Sequence, residues 1–235
     1  NETILILDMH HSITDGVSIN VIAKEMLKLY KNAGLNRKMF DYKDYCIWNE
    51  NKDLSLQRNY WKAKLESCYH GPLLIPTDYE RSNYQAGSGS SLSCFLNGDI
   101  FEKIKKFIEE RNITEYMLML AALAVVLQKY ARQSEIIIGT PVSGRTGAAV
   151  DDIVGMFVNT LPICLKVDGE SSVGTFLEHV KESCIKAFDN QDLPFDEIVD
   201  LAEMESEPSR NPIFDVLFAF QNNETVHYCL EGLEI

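Results

Sequence analysis

Two adjacent histidines followed by an aspartate-glycine pair are the residues of this chain best suited to chemistry: His10 and His11, then Ser-Ile-Thr, then Asp15 and Gly16. An imidazole accepts and releases protons near neutral pH. An amine that attacks a thioester or an ester must lose a proton as the tetrahedral intermediate forms, so a histidine here suits acyl transfer. Gly16 would let the backbone turn tightly and point an N–H group at the site.

Taken alone, the histidine pair also fits a metal site or two structural histidines bound by backbone groups. A zinc site needs a third and a fourth ligand, and the histidines at positions 70, 179 and 227 have no motif relation to the pair. The chain has no G-x-S-x-G sequence and no cysteine or serine beside a histidine in a recognisable nucleophile arrangement. The residues therefore predict neither a bound metal nor a covalent acyl-enzyme.

Composition narrows the classes of partner. The 235 residues, 46% hydrophobic and 24% charged, can bury a sizeable core. A formal net charge of −13 argues against nucleic acid, because phosphate-backbone binding needs clustered Lys and Arg. No apolar stretch is long enough to span a bilayer, so no membrane partner is expected. The six cysteines show neither metal-ligand spacing nor a disulfide pattern, which favours reduced thiols and a cytoplasmic location.

Hydrophobic periodicity and turn residues predict a mixture of strands and helices. The apolar run at residues 3–9 predicts a strand buried on both faces, and a helix at 17–30 follows the histidine motif. Further helices are expected at residues 54–65, 101–110, 115–130, 173–188 and 195–202, the third of them as a buried core helix. Further strands are expected at residues 91–96, 135–140, 157–167 and 228–233. This order, without strict alternation, indicates an α/β or α+β layered fold.

Five short motifs resemble those of condensation domains in nonribosomal peptide synthetases, members of the HHxxxDG acyltransferase superfamily. They are MHHSITDGVS at residues 9–18, YKDYCIW at 42–48, VGMFVNT at 154–160, NQDLPFD at 190–196 and PSRNPI at 208–213. Because the five occur in the family's order and cover most of the chain, coincidence does not explain them.

The resemblance implies a chloramphenicol-acetyltransferase-like fold with two lobes and a tunnel through it. Residues 1–33 would carry the histidine motif at the junction of the lobes, and residues 34–235 would form the C-terminal lobe. The family elements that precede the double histidine have no counterpart here. We therefore expect the N-terminal lobe to be largely missing from this chain, and we expect the isolated chain to be inactive.

The resemblance also implies roles for residues. His11 would be the catalytic histidine, either as a general base for the acceptor amine or as a group that positions it. His10, Asp15 and Gly16 would support the loop, and Asp15 would form a structural ion pair with Arg145.

Further implications concern the tunnel, the aromatic residues and the substrates. Asn159 would either reach the tunnel or cap the backbone, and Tyr42, Tyr45, Trp48 and Trp61 fit core or lobe packing better than substrate contact. The substrates would be carried on the phosphopantetheine arms of donor and acceptor peptidyl carrier proteins, beside other synthetase domains. No cofactor would be bound directly.

Three other functions stay open at this point. An epimerisation domain uses a similar histidine motif, although FVNT at residues 157–160 favours condensation. An HHxxxDG acyltransferase with a soluble acceptor is disfavoured by the motifs at 190–196 and 208–213. A non-catalytic module that recruits carrier proteins or tailoring enzymes is disfavoured by the intact HHxxxDG sequence.

Overall fold

The structure is a computed structural model that describes residues 4, 6–35, 39–79, 81, 89–202 and 209–221. The chain divides into two compact units. The first unit consists of Asn1–Asp53, Val142–Asn159 and Gln221–Ile235, and the second of Leu54–Pro141 and Thr160–Phe220. The division between residues 33 and 34, which concerns the two lobes of a complete condensation domain, stays a prediction.

The first unit contains a short 3₁₀ turn, His11–Ile13, and the helices α1 (Gly16–Tyr30) and α2 (Tyr42–Glu50). α1 begins where its N-cap residue, Asp15, accepts a hydrogen bond from the amide of Ser18. α2 begins with a reciprocal capping box. α1 agrees with the helix predicted at residues 17–30, and its cap fixes where the histidine turn ends.

The second unit contains the other helices and most of the two paired strands. They are α3 (Ser55–Cys68), α4 (Gly98–Arg111), α5 (Glu115–Ala131), β1 (Glu135–Val142), β2 (Asn159–Lys166), α6 (Val173–Asp189) and α7 (Phe195–Leu201). α5 packs against α4 and α6, and α3 packs against α7. Leu120 and Ala124 of α5 are completely buried, so α5 is the core helix that its apolar composition predicts.

The strands of the second unit explain the apolar runs in the sequence. β1 lies beside β2, and residues Ile136–Thr140 and Leu161–Leu165 are buried without interruption. Gly139 also pairs in parallel with Leu217, since the amide of Phe218 donates to the carbonyl of Gly139 at 2.8 Å. Continuous burial is typical of strands that are covered on both faces, and it confirms the strands predicted at 135–140 and 157–167.

Two other predicted strands are wrong. No strand forms at the described positions of residues 3–9, where Ile4 and Ile6 are 81% and 82% exposed. None forms at 91–96, where Leu92 and Phe95 are 99% and 95% exposed. A strand needs a neighbour that pairs with its backbone groups, and within the described ranges no segment pairs with either run. The strand predicted at 228–233 lies outside the described residues.

The cysteines correct the expectation of reduced thiols. Cys68, at the end of α3, forms a disulfide with Cys164 in β2, at a sequence separation of 96 residues and with Cα atoms 6.3 Å apart. Cys46, Cys94 and Cys184 are free. Spacing along the sequence did not reveal the pair because only the fold of the second unit brings the two cysteines together.

None of the helices in the described part of the chain is, by itself, long and apolar enough to cross a membrane. α4 and α5 would suffice together by length and composition, but they are bent by 102° at their junction. Several apolar residues of α5, including Leu120 and Leu127, are buried within the second unit.

Candidate active site

His11 is bound by a backbone carbonyl in the turn that precedes α1. Its Nδ1 atom lies 2.7 Å from the carbonyl oxygen of Thr14. A carbonyl oxygen can only accept a hydrogen bond, so Nδ1 carries the proton, and in the neutral ring Nε2 keeps a free lone pair. His11 is exposed. The turn therefore fixes one tautomer and leaves Nε2 able to accept a proton.

His10 has the opposite tautomer. Its Nδ1 accepts a hydrogen bond from the amide of Ser12 at 3.1 Å and lies 2.7 Å from the Ser12 hydroxyl. Because an amide can only donate, Nδ1 of neutral His10 carries no proton. His10 thereby caps the 3₁₀ turn, while His11 presents a free nitrogen. Among the described residues, no group of three or more His, Cys, Asp and Glu side chains is arranged to hold a metal ion.

Asp15 is buried, and hydrogen-bond donors surround its carboxylate. Oδ1 accepts from the amide and the hydroxyl of Ser18, both at 2.7 Å. Oδ2 accepts from the amide of Phe157 at 3.2 Å. Nη2 of Arg145 lies 3.0 Å and 3.1 Å from the two oxygens. The structure thus brings Asp15 and Arg145 together, and each oxygen of the buried charge has partners.

These contacts determine the protonation of Asp15. Burial acts to raise the pKa of Asp15, but the hydrogen bonds from Ser18, Arg145 and the amide of Phe157 outweigh it, so the pKa lies below the ordinary value of 3.8. The carboxylate is therefore charged at neutral pH. With its oxygens bound to these donors, Asp15 organises the turn and takes no proton from His11.

Arg145 reaches Asp15 from the loop that follows β1. Its Nη1 donates to the carbonyl oxygens of Val150 and Ile153, the second at 2.9 Å. The guanidinium carbon lies 4.1 Å from the centroid of the Phe157 ring. A planar guanidinium with several donors suits this combination of ion pair, carbonyl contacts and ring stacking. Arg145 therefore orders its own loop while it neutralises Asp15.

Ser18 belongs to the same cluster, although no role was predicted for it from the sequence. Its hydroxyl oxygen lies 2.9 Å from the carbonyl oxygen of Gly155, accepts from the amide of Gly155 at 3.0 Å and accepts from Nη2 of Arg145 at 3.0 Å. An aspartate directly before an apolar helical pattern signals an N-cap, and hence the contact between Asp15 and the amide of Ser18. The contact with Gly155, 137 residues away, has no such signal.

Two glycines allow the loop at residues 143–158 to approach its neighbours closely. A Cβ atom on Gly155 would lie 2.1 Å from Cδ2 of Tyr42. Gly144 has φ +64°, and a Cβ atom on it would lie 1.9 Å from the carbonyl oxygen of Phe157. Tyr42 donates its hydroxyl to the carbonyl oxygen of Met156 at 2.5 Å, and its ring packs edge-on against Phe157. The motifs at 42–48 and 154–160 therefore meet around the loop that binds Asp15.

For Gly16, Asn159 and the two tryptophans, the structure tests only part of the role predicted from the sequence. Gly16 is the first residue of α1, and a Cβ atom on it would meet nothing within 4 Å. Its φ is not in the positive region, so the tight turn expected of it does not require glycine. Asn159 is half-buried at the start of β2, and its two alternative roles stay predictions. Trp61 is completely buried, as core packing requires, whereas Trp48 is 55% exposed, so it is not a core residue and its packing against another lobe stays a prediction.

The family model described as Condensation domain matches residues 1–229. This chain belongs to the condensation-domain family. Two of the motifs that identify it, at residues 9–18 and 154–160, are also the segments that surround Asp15.

Curated relatives of this condensation domain are peptide synthases. Bacitracin synthase 3 of Bacillus licheniformis is 37% identical over 239 residues, which cover 99% of this chain and 4% of that protein. Gramicidin S synthase 2 of Brevibacillus brevis is 38% identical over 224 residues, which cover 93% of this chain and 5% of that protein. The chain therefore spans only a small part of the length of these relatives.

Solved structures show the same fold. A four-domain nonribosomal peptide synthetase bound to AMP and glycine has a TM-score of 0.82 at 23% identity, over 92% of this chain and 17% of that chain. The X-domain from teicoplanin biosynthesis has a TM-score of 0.79 at 19% identity, over 88% of this chain and 49% of that chain. At such identities the likeness shows the fold alone, which is the chloramphenicol-acetyltransferase-like α/β fold of condensation domains.

Proposed function

We propose that this chain carries the amide-forming site of a nonribosomal peptide synthetase. An aminoacyl or peptidyl group, held as a thioester on a donor carrier protein, is transferred to the amine of an aminoacyl group on an acceptor carrier protein. The family match and the relatives named as bacitracin and gramicidin S synthases support this reaction class. The phosphopantetheine arms belong to the carrier proteins, and the chain itself binds no cofactor.

The step balances in atoms and protons. The amine nitrogen attacks the thioester carbonyl carbon, the C–N bond forms and the C–S bond breaks. The proton lost by the amine passes to Nε2 of His11 and then to the leaving thiolate. The products are one amide and one free thiol.

The contact of 2.7 Å between Nδ1 of His11 and the carbonyl oxygen of Thr14 carries this proposal. It leaves Nε2 unprotonated in the neutral ring, which favours a general base over a group that only positions the amine. After proton transfer the charged ring is a stronger donor to the same carbonyl, which stabilises it. Asp15 is committed to its ion pair with Arg145, so the oxygen of Thr14 takes the orienting role that a carboxylate has in other histidine sites.

The proposed surroundings follow the resemblance. The reaction would take place between two carrier proteins, next to other synthetase domains and in the cytoplasm. Because the family builds its tunnel from two lobes, we expect residues 1–235 alone to turn over no carrier-bound substrate.

A second function, recruitment of a partner protein without bond formation, is favoured by one structural likeness. The X-domain from teicoplanin biosynthesis, solved in complex with OxyB, has a TM-score of 0.78 at 20% identity to this chain. That likeness concerns the fold alone. The intact histidine turn of this chain favours catalysis.

The test uses a two-lobed protein in which residues 1–235 form the C-terminal part, together with two loaded carrier proteins. Mass spectrometry of the carrier-bound products compares the intact protein with His11→Ala. His70→Ala serves as the matched control, because His70 lies in the second unit and pairs with Glu135. We expect dipeptide from the intact and control proteins, and a rate lower by about 100- to 10,000-fold in His11→Ala, the usual contribution of general acid–base catalysis.

The other outcomes separate the competing functions. An unchanged rate in His11→Ala would contradict the role of this histidine. Inversion of the aminoacyl α-carbon without dipeptide would identify an epimerisation domain. Partner binding with neither product would identify a recruitment module.

A further inference from the structure

Ser18 is the third residue of α1, and its side chain is completely buried. Its hydroxyl oxygen lies within hydrogen-bond distance of four polar groups. They are Oδ1 of Asp15 at 2.7 Å, the carbonyl oxygen of Gly155 at 2.9 Å, the amide nitrogen of Gly155 at 3.0 Å and Nη2 of Arg145 at 3.0 Å. One oxygen atom therefore joins the start of α1 to two positions of the loop at 143–158.

The chemistry of a hydroxyl group fits this environment. It offers one proton and two lone pairs. The two N–H donors, from Gly155 and Arg145, occupy the lone pairs. The proton goes to the carboxylate of Asp15, which is the nearer acceptor and carries a charge. Each hydrogen-bonding capacity of Ser18 is thereby used.

From Ser18, a short series of contacts leads to His11. Ser18 binds the carboxylate of Asp15 through its amide and through its hydroxyl. Asp15 is linked covalently to Thr14, whose carbonyl oxygen accepts from Nδ1 of His11. A displacement of Asp15 would therefore move the acceptor that sets the tautomer of His11.

We propose that Ser18 is a positioning residue for His11. It holds the Thr14 carbonyl in place, so that His11 keeps its proton on Nδ1 and offers Nε2 to the substrate. The kinetic consequence of this role rests on the proposed function, whereas its structural consequence does not.

Two variants separate positioning from the general cost of losing a buried hydroxyl group. Ser18→Ala leaves the amide of Gly155 and an N–H group of Arg145 without this acceptor. Ser183→Ala is the matched control, because Ser183 is also a buried helical serine, 6% exposed, but lies on α6 in the second unit. Both variants lose a hydroxyl group, and only the first disturbs the histidine turn.

The first measurement needs no substrate. Long-range ¹H–¹⁵N NMR of the full chain, labelled at histidine, reports which nitrogen of His11 carries the proton. We expect the Nδ1-protonated ring in the intact protein and in Ser183→Ala, and a mixture of both tautomers in Ser18→Ala. An unchanged tautomer in folded Ser18→Ala overturns the proposal, whatever the activity.

The second measurement uses the two-lobed protein with loaded carriers. We expect kcat of Ser18→Ala to fall by about 10- to 100-fold with KM unchanged, the size of effect produced by a small misplacement of a catalytic group. Equal turnover in Ser18→Ala and Ser183→Ala would overturn the role. If Ser18→Ala does not fold, Ser18→Cys, which keeps a similar volume but is a weaker donor, replaces it in both measurements.

The two measurements distinguish failure of this inference from failure of the proposed function. If the intact protein makes no dipeptide and the tautomer still responds to Ser18→Ala, the proposed function is wrong and the positioning role stands. If dipeptide forms normally and neither readout responds, the positioning role is wrong and the proposed function stands.

Discussion

Asp15 combines two tasks, because it caps α1 through the amide of Ser18 and forms an ion pair with Arg145. The side chains of the pair are 1% and 4% exposed respectively. Replacing both members of such a pair by apolar groups is often neutral, but removing one member leaves an uncompensated charge in the interior. The cost of a substitution here therefore depends on whether one charged partner is left without the other.

We expect Asp15→Asn to lower the free energy of unfolding by about 3–5 kcal/mol, the usual cost of removing one member of a buried ion pair. Arg145→Met should cost a similar amount. The double variant should cost less than the sum, because neither charge is left alone. Urea unfolding followed by circular dichroism measures all three values.

The matched control for this prediction is an exposed pair. Glu102 and Lys105 lie on the surface of α4, with 3.4 Å between Oε1 and Nζ. Glu102→Gln should change the free energy of unfolding by at most about 1 kcal/mol, as is typical of exposed pairs. An Asp15→Asn protein as stable as Glu102→Gln would show that the buried charge is not compensated as we infer.

The lowered pKa of Asp15 also predicts a pH dependence of stability. Its folded-state pKa lies below the ordinary value of 3.8 because hydrogen bonds outweigh burial. The stabilisation is therefore fully present above pH 3.8 and is lost as the pH falls through the folded-state pKa. We expect the stability difference between the intact protein and Asp15→Asn to be constant from about pH 5 to about pH 7 and to shrink below pH 3.8, the ordinary pKa of the carboxyl group. If this difference in stability already shrinks on acidification above about pH 5, a group other than Asp15 causes the pH dependence.

Single residues differ in how far the sequence could predict them. The pair of Asp15 and Arg145 could be predicted because the family resemblance implies it, although Arg145 lies outside the five motifs. The opposite tautomers of His10 and His11 depend on which backbone group each ring meets, and the sequence does not contain that information. Ser18 was missed because its contacts with Gly155 exist only after the loop has folded onto α1.

At the scale of elements, the loop at 143–158 supplies most of the contacts that bind Asp15. The amides of Gly155 and Phe157 point at Ser18 and Asp15. Tyr42, the first residue of α2, packs against this loop, and its hydroxyl donates a hydrogen bond to the carbonyl oxygen of Met156. Because that hydrogen bond restrains the ring, Tyr42 cannot easily move away from a larger residue at position 155.

Gly155→Ala should therefore lower the free energy of unfolding by about 1–3 kcal/mol, the usual cost of forcing atoms into a packed region. The added Cβ would lie 2.1 Å from Tyr42. The matched control is Gly16→Ala, where nothing lies within 4 Å, and the change should leave stability equal or raise it by about 0.4–1 kcal/mol. Thermal unfolding measures both variants. Equal melting temperatures would mean that the loop relaxes without cost.

The elements that the sequence predicted well are those whose signal is local. α5 and α6 have apolar positions at helical spacing and polar N-cap residues, Thr114 and Ser172. The predictions of strands at 3–9 and 91–96 were wrong because an apolar run indicates burial but does not show which other strand would pair with it. Apolar runs of the same kind predicted β1 and β2 correctly, because these two strands pair with each other.

At the scale of the whole molecule, the order of the motifs predicted the fold class, because five segments in a family's order carry information that no single segment has. The two compact units were not predicted. Residues 142–159 join residues 1–53 in one unit, although residues 54–141 of the other unit separate them along the sequence. The hydrophobic periodicity of each segment does not show which distant segment it packs against.

The Cys68–Cys164 disulfide is the other long-range feature that spacing concealed, and it predicts a dependence of stability on redox state. The bond joins residues 96 apart within the second unit. Such a cross-link restricts the unfolded chain and typically contributes about 2–4 kcal/mol to the free energy of unfolding.

Reductant should therefore lower the melting temperature of the intact chain, and Cys68→Ser should lower it equally, with no further effect of reductant. Cys94→Ser is the control, because Cys94 is free and exposed, and it should retain the response. If calorimetry shows the same melting temperature before and after reduction, with titration proving that both thiols were released, the disulfide contributes nothing to stability.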